Sequence, residues 1–457
     1  MSSPKAKLTQ GPVGQRLREL TVPTIWGIFA MMSFNVVDTW FVGRLGTAEL
    51  AAMSFTFPVV MTLMSVAIGL SAGTSSVIAR AAGRDDEEKM RRLTTDALVL
   101  ATLITGALSL LGYLSIEPVF RLLGASDELL PLVREYMAPW YAGLVFFLVP
   151  MVAMSTLRAT GDAKTPGRLL IASSVLNVLL DPLLIFGLAG FPRLELAGAA
   201  YATVLARAVM LVGSLWILHA RLGLLTTIRV PAERLWASWA GILHVGLPAA
   251  GTNVIIPVAN GVIVALVASF GADAVAGLGV AIRIEMFSLI IFYAMSGIIG
   301  PFVGQNLGAA RRDRILLALK LCFVFCLALG TLLALAVGAL AIPLARLFSG
   351  SAEVVRVAAT YLWIVPLSYG AAGIIMIVNA AFNGLGRPLP ATVISVTRMV
   401  VIYIPLALAG RALFGITGVF VAASLSNLLV GAGAALWAWL ASTRLPSSAR
   451  LSFEPGS

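Results

Sequence analysis

The sequence predicts an all-α integral membrane protein, with twelve transmembrane helices in two six-helix lobes related by an internal parallel repeat. Three observations predict it: a composition too apolar for water, twelve separate apolar runs long enough to cross a bilayer, and a self-similarity at a shift of 225 residues. Of 457 residues, 59% are hydrophobic and only 12% charged, and the mean hydropathy is +0.97. That charged share is about half the ~25% usual for soluble domains. It leaves more apolar surface than a soluble core can hide. The runs are continuous rather than alternating at period two, which disfavours a transmembrane barrel. Forty-three glycines and 22 prolines suit bilayer helices, where neighbours re-satisfy freed backbone groups.

The runs lie near 22–44, 52–80, 93–115, 131–157, 166–189, 196–219, 239–270, 276–303, 315–342, 356–381, 389–410 and 416–440. Each supplies the roughly 20 residues that a crossing needs. With the N-terminus inside, inner segments hold 22 Lys and Arg against seven outside. By the positive-inside rule both ends are then cytoplasmic. The same asymmetry accounts for the net charge of +11 without a nucleic-acid partner. Residues 1–21 form a polar cytoplasmic segment. It is not a cleaved signal, because the first apolar run outlasts a signal peptide and carries Asp38.

The repeat sets Val22-Pro23 on Leu247-Pro248, Ser71 on Ser296 and Gly161 on Gly386. Six spans is an even number, so the halves share one orientation and a pseudo-axis along the membrane normal. The expected division is an N-terminal lobe 22–220, a cytoplasmic linker 221–238, a C-terminal lobe 239–441 and a cytoplasmic tail 442–457. Cys322 and Cys326, one helical turn apart, read as small packing residues rather than a disulfide.

Charges inside spans cost at least ~2.5–3.5 kcal/mol each and so tend to be functional. Six qualify: Asp38, Asp181, Glu285, Arg207, Arg283 and Arg398. Asn35 precedes Asp38 by three residues and Asn177 precedes Asp181 by four, so each amide shares a face with its acid. Two carboxylates out of water can share a proton or coordinate sodium with amide and hydroxyl oxygens. A polar staple between the first and fifth spans is the bland alternative. Glu285, Arg283 and Arg398 form a candidate C-lobe polar cluster, with Arg398 as the candidate partner of Glu285; Arg207 reads as structural. Met31 and Met64 fit an adaptable, greasy cavity or plain packing. His219 and His244 have no metal-ligand spacing, and no resident cofactor is expected.

Several stretches together resemble one family. They are V-V-D-T-W-F-V-G-R-L-G-T-A-E-L-A-A (36–52), G-L-S-A-G-T-S-S-V-I-A-R-A-A-G (69–83), R-A-T-G-D-A-K-T-P (158–166), N-V-L-L-D-P-L-L-I-F-G (177–187) and G-P-F-V-G-Q-N-L-G-A (300–309). They resemble multidrug and toxic compound extrusion (MATE) transporters, and within these the DNA-damage-inducible-type branch. The resemblance covers the whole chain. It implies ion coupling at Asp38, Asp181, Asn177 and Thr203, with Tyr136 nearby and a helix-1 bend at Pro23; Asn35, on the face of Asp38, joins Tyr136 as a candidate for the substrate cavity. No acid lies between Gly241 and Phe270, which departs from branches with a carboxylate on the seventh helix.

The resemblance implies a secondary antiporter, not an enzyme. It would export small, often cationic or amphipathic compounds against H+ or Na+, as a monomer in the plasma or inner membrane. A flippase for a lipid-linked saccharide precursor is the rival reading, since Arg207, Arg283 and Arg398 could hold a pyrophosphate. An intramembrane enzyme is disfavoured by the lack of a Ser/His pair or paired metal histidines.

Overall fold

The computed structural model describes residues 7–226 and 231–445. Lys5, Arg229, Arg450 and the tail after residue 445 lie outside the described residues. Every regular element among the described residues is helical.

The spans are α1 (Val13–Gly43), α2 (Thr47–Gly83), α3 (Glu87–Leu114) and α4 (Leu130–Ala142 continuing as Val145–Ala159). Next come α5 (Lys164–Phe186), α6 (Glu195–Trp216, ending in a π turn to Arg221) and α7 (Ala232–Ala268). Then follow α8 (Ala272–Ser288 continuing as Ile290–Gly308), α9 (Arg312–Ala339) and α10 (Ala352–Ile364 continuing as Tyr369–Gly384). The last 56 apolar helical residues, Pro388–Thr443, would rise roughly 84 Å as one rod, against a ~30 Å hydrocarbon core. Gly415, at φ 61 and ψ −143, breaks them into α11 (388–414) and α12 (416–443). Twelve spans result, as expected from the sequence.

Local chemistry sets the ends. Asp86 caps α3 by accepting the Lys89 N–H at 3.0 Å, with Glu87 and Glu88 in the first turn. Ahead of α5, Asp162 accepts from the Thr165 N–H at 3.0 Å and hydroxyl at 2.6 Å. The repeat reappears in these ends. Both ends of α2 and of α3 recur 225 residues later, in α8 and α9. Left-handed turn residues recur at the same shift: Asp85 with Ala310, and Gly161 with Gly386.

Several spans are less regular than their hydropathy suggests. α4 bends by 45° after Ala142. There Gly143 packs so closely on α6 that a Cβ would lie 2.4 Å from a Val204 methyl. α8 is interrupted at Leu289. α11 contains a π-helical stretch, Thr397–Tyr403, a device that commonly marks functional positions.

The chain forms two compact units, one built on Val22–Leu247 and the other on Leu8–Thr21 with Pro248 onward. These bounds differ from the expected lobes at both joins. Residues 232–247 pack within the first unit. A Cβ on Gly73 would lie 2.2 Å from the Ile242 carbonyl oxygen, and Trp239 Nε1 donates to the Asp96 carbonyl at 3.0 Å. Residues 8–21, expected to be an appended cytoplasmic segment, belong to the second unit. There Arg314 donates to the carbonyls of Gly11 (2.7 Å), Leu8 (3.0 Å) and Gln10 (3.3 Å), and to Asn306 Oδ1 (3.0 Å). The Leu8 N–H donates to the fully buried Gln305 at 3.0 Å. Hydropathy overlooks this segment because its few buried apolar side chains, Leu8, Val13 and Leu20, stand among polar residues, and its backbone carbonyls are held by Arg314.

Candidate functional site

In the first unit, α1, α4, α5 and α6 bring Asp38, Tyr136, Asn177, Asp181 and Thr203 into one buried group. Asp38 is 5% exposed and Asp181 is fully buried. Asn177 and Asp181 are one turn apart on α5, so their side chains meet. With its nitrogen turned to Asp181, the Asn177 amide donates to both carboxylate oxygens at 3.0 and 3.1 Å. Its oxygen then accepts from the Thr203 hydroxyl and N–H, both at 3.1 Å. The opposite orientation sets like atoms against like, so this one is assigned. Asp38 lies near enough for its charge to act on Asp181, and Tyr136 feels both acids. Asp38 Oδ1 is buried without a hydrogen-bond partner among the described residues. The arrangement offers a cation or proton two carboxylates, with hydroxyl and amide groups adjoining.

The other expected residues divide. Met64 packs half-buried in the same apolar cluster as Tyr136. Met31 is half-buried on α1, whereas Asn35 is exposed, and only its carbonyl is engaged, by the Thr39 hydroxyl at 2.8 Å. Pro23 lies inside α1, where its carbonyl backs onto α5: a Cβ on Gly167 would approach it to 2.6 Å. Gly167 thus admits close contact of two helix backbones, as small residues do in membranes.

In the second unit Arg283 is exposed, and no hydrogen bond or ion pair joins it to Glu285 or Arg398 among the described residues. Glu285 accepts a hydrogen bond from the Tyr361 hydroxyl. Arg398, on the π turn of α11, donates to Asn427 Oδ1 at 3.1 Å, and Asn427 donates to Ser368 at 3.0 Å. Arg398 and Glu285 act on each other's charge, yet no ion pair joins them among the described residues. Sequence reasoning missed Tyr361 and Asn427. Their signal was polar tips recurring within apolar runs of α10 and α12.

Arg207, on α6 one turn beyond Thr203, is 8% exposed. Its guanidinium lies over the Phe147 ring, 5.1 Å from the centroid, and contacts Met210 Sδ at 3.9 Å.

The MatE family model matches residues 23–183 and again 248–409, in the register of the repeat. A Shewanella oneidensis protein named FAD transporter is 39% identical over 424 residues, covering 93% of this chain and 94% of its own. A probable multidrug resistance protein, NorM, of Thermotoga maritima is 25% identical over 84% of this chain and 82% of its own. The crystal structure of the Vibrio cholerae MATE transporter VcmN in the bent form superposes with a TM-score of 0.90, at 31% identity, over 97% of this chain and 99% of that one. With both halves matched and the fold shared end to end, this chain belongs to the MATE family of membrane transporters.

Proposed function

We propose that this chain is a secondary antiporter that exports organic solutes in exchange for H+ or Na+ bound at Asp38 and Asp181. One observation carries the reading: two buried carboxylates whose charges interact, one satisfied by Asn177 and the other with an oxygen left unpartnered. Buried carboxylates without basic partners are costly unless a proton or cation neutralises them. Binding the ion changes the field on α1, which carries Asp38 and has Pro23 nearly three turns inside its start. Bending there lowers the affinity for the exported solute, and coupling follows because each ligand favours a different state. The positive-inside count supports cytoplasmic termini in a plasma or inner membrane, with the monomer as the working unit.

Two solute classes compete. Names among the relatives support drug-like compounds, and the 39% identity to a protein named FAD transporter supports flavin nucleotides. The first experiment loads proteoliposomes with either FAD or a fluorescent organic cation and imposes a proton or sodium gradient. Gradient-driven efflux that Asp38→Asn abolishes, with solute binding retained, supports the mechanism and names the ion. Efflux of neither solute under either gradient overturns it, and a lipid-linked saccharide becomes the substrate to try.

A further inference from the structure

A buried guanidinium normally has a carboxylate, a carbonyl or an anion to answer it. Arg207 has none of these among the described residues. It takes part in none of the ion pairs, which join Arg16, Arg121, Arg193, Arg311 and Arg356 to acids in or near their own turns. Its contacts are a ring face and a sulfur. The acid of the neighbouring cluster, Asp181, is engaged by Asn177, and Asn177 turns its oxygen to Thr203 rather than toward Arg207.

The guanidinium also faces empty space. Arg207 lines a narrow cleft with Trp140, Gly143, Phe147, Thr203 and Val204, with room for about one water-sized group. Gly143, where α4 breaks, forms part of its wall. Two aromatic rings and a hydroxyl surround one unanswered positive charge. The volume is below the roughly 300–1,000 Å³ of sites that enclose a whole drug-sized ligand. It therefore admits a single oxygen of a larger solute's anionic group, not the solute itself.

We propose that Arg207 is the anchor for a phosphate-class anion. The guanidinium fork binds the phosphate oxygens, with the Trp140 and Phe147 rings against the adjoining apolar part. Arginine suits this task through its planar, permanently charged donor array. Phe147 holds the fork in place while the cleft is empty, through its π face. The inference deepens the transport reading, since it assigns the solute an anionic group. The same chemistry has two sources: a flavin nucleotide arriving from water, or the headgroup phosphate of a lipid.

The test is equilibrium binding to the full chain, with no gradient, so that it stands even if gradient-driven transport fails. Riboflavin, FMN and FAD are titrated against protein in neutral detergent, and melting is compared in nanodiscs of phosphatidylcholine with and without phosphatidylglycerol. For a solute phosphate, FMN and FAD bind at least tenfold tighter than riboflavin. Arg207→Gln erases that preference and leaves riboflavin unchanged, while Arg207→Lys keeps part of it. For a lipid phosphate, flavins show no preference, and phosphatidylglycerol raises the melting temperature of the wild type but not of Arg207→Gln. If Arg207→Gln does not fold, competition by inorganic pyrophosphate against FMN on the wild type and Arg207→Lys decides the flavin arm. The proposal is overturned if neither phosphates nor anionic lipid distinguish wild type from Arg207→Gln, or if the variant weakens riboflavin and FMN equally.

Discussion

Replacing Arg314 with alanine should free the segment that precedes α1. The side chain makes four hydrogen bonds, three to the carbonyls of Leu8, Gln10 and Gly11 and one to Asn306. Arg314 is 8% exposed and Asn306 fully buried, so water replaces these bonds poorly. Hydrogen bonds to charged groups contribute about 1.5–3 kcal/mol each, but bonds from one guanidinium are not additive. Taking about 3 kcal/mol for the set, opening of residues 8–11 becomes about 150-fold more frequent. Hydrogen exchange of a peptide covering residues 8–21 reads this directly, because the Leu8 N–H is itself bonded to Gln305. Arg314→Lys keeps the charge but loses the fork and should fall between. A peptide from α3 is the control. If exchange across residues 8–21 is unchanged in Arg314→Ala while the protein stays folded, the segment is held by something other than this arginine.

Three further outcomes follow. Asn177→Ala removes the donors to Asp181, so the ion concentration that half-saturates efflux should shift about tenfold, for roughly 1.4 kcal/mol; an unshifted ion dependence removes Asn177 from the site. Gly384→Ala would drive a Cβ to 2.3 Å from the Gly300 carbonyl oxygen, whereas a Cβ on Gly106 meets nothing within 4 Å. The first should lose about 1–3 kcal/mol by overpacking and melt lower in detergent, with the second unchanged; equal melting temperatures refute the close approach. Cys322 and Cys326, 2% and 0% exposed, should react with maleimide at least 100-fold faster in denaturant than in the native state; comparable native labelling means that α9 is not packed as described.

The residues whose role follows from the solvent were readable in the sequence. Bilayer-length runs, the repeat and the acids placed inside spans all arise because hydrocarbon makes few exceptions. Asp38, Asn177 and Asp181 stood out for that reason, and helical spacing alone paired the last two. The remainder depends on backbone geometry, which hydropathy does not encode. The bend after Ala142 falls at a single glycine packed on Val204, and the π stretch that carries Arg398 leaves no mark in composition. Arg207 was visible as an intramembrane charge, but nothing in the sequence tells an answered guanidinium from an unanswered one.

Each of the two joins between the units falls inside a continuous helix rather than in a loop. α1 begins among residues of the second unit and continues in the first from Val22; α7 begins in the first and continues in the second from Pro248. The repeat places Pro23 and Pro248 at matching positions, one at each join. A proline has no N–H for the carbonyl four residues before it, so the ladder lacks a rung opposite Glu19 and again opposite His244. A helix yields first where a rung is missing, since bending there breaks no further bond. The prolines therefore concentrate compliance in the two turns where the chain passes between units, and Arg314 fixes the segment on the far side of one of them. Under this reasoning Arg314→Ala and Pro23→Ala act on one element from opposite directions: the first loosens its anchor and the second stiffens its bend. Both should slow gradient-driven efflux while leaving equilibrium solute binding within about twofold. A Pro23→Ala variant that transports at the wild-type rate would show that α1 need not bend there.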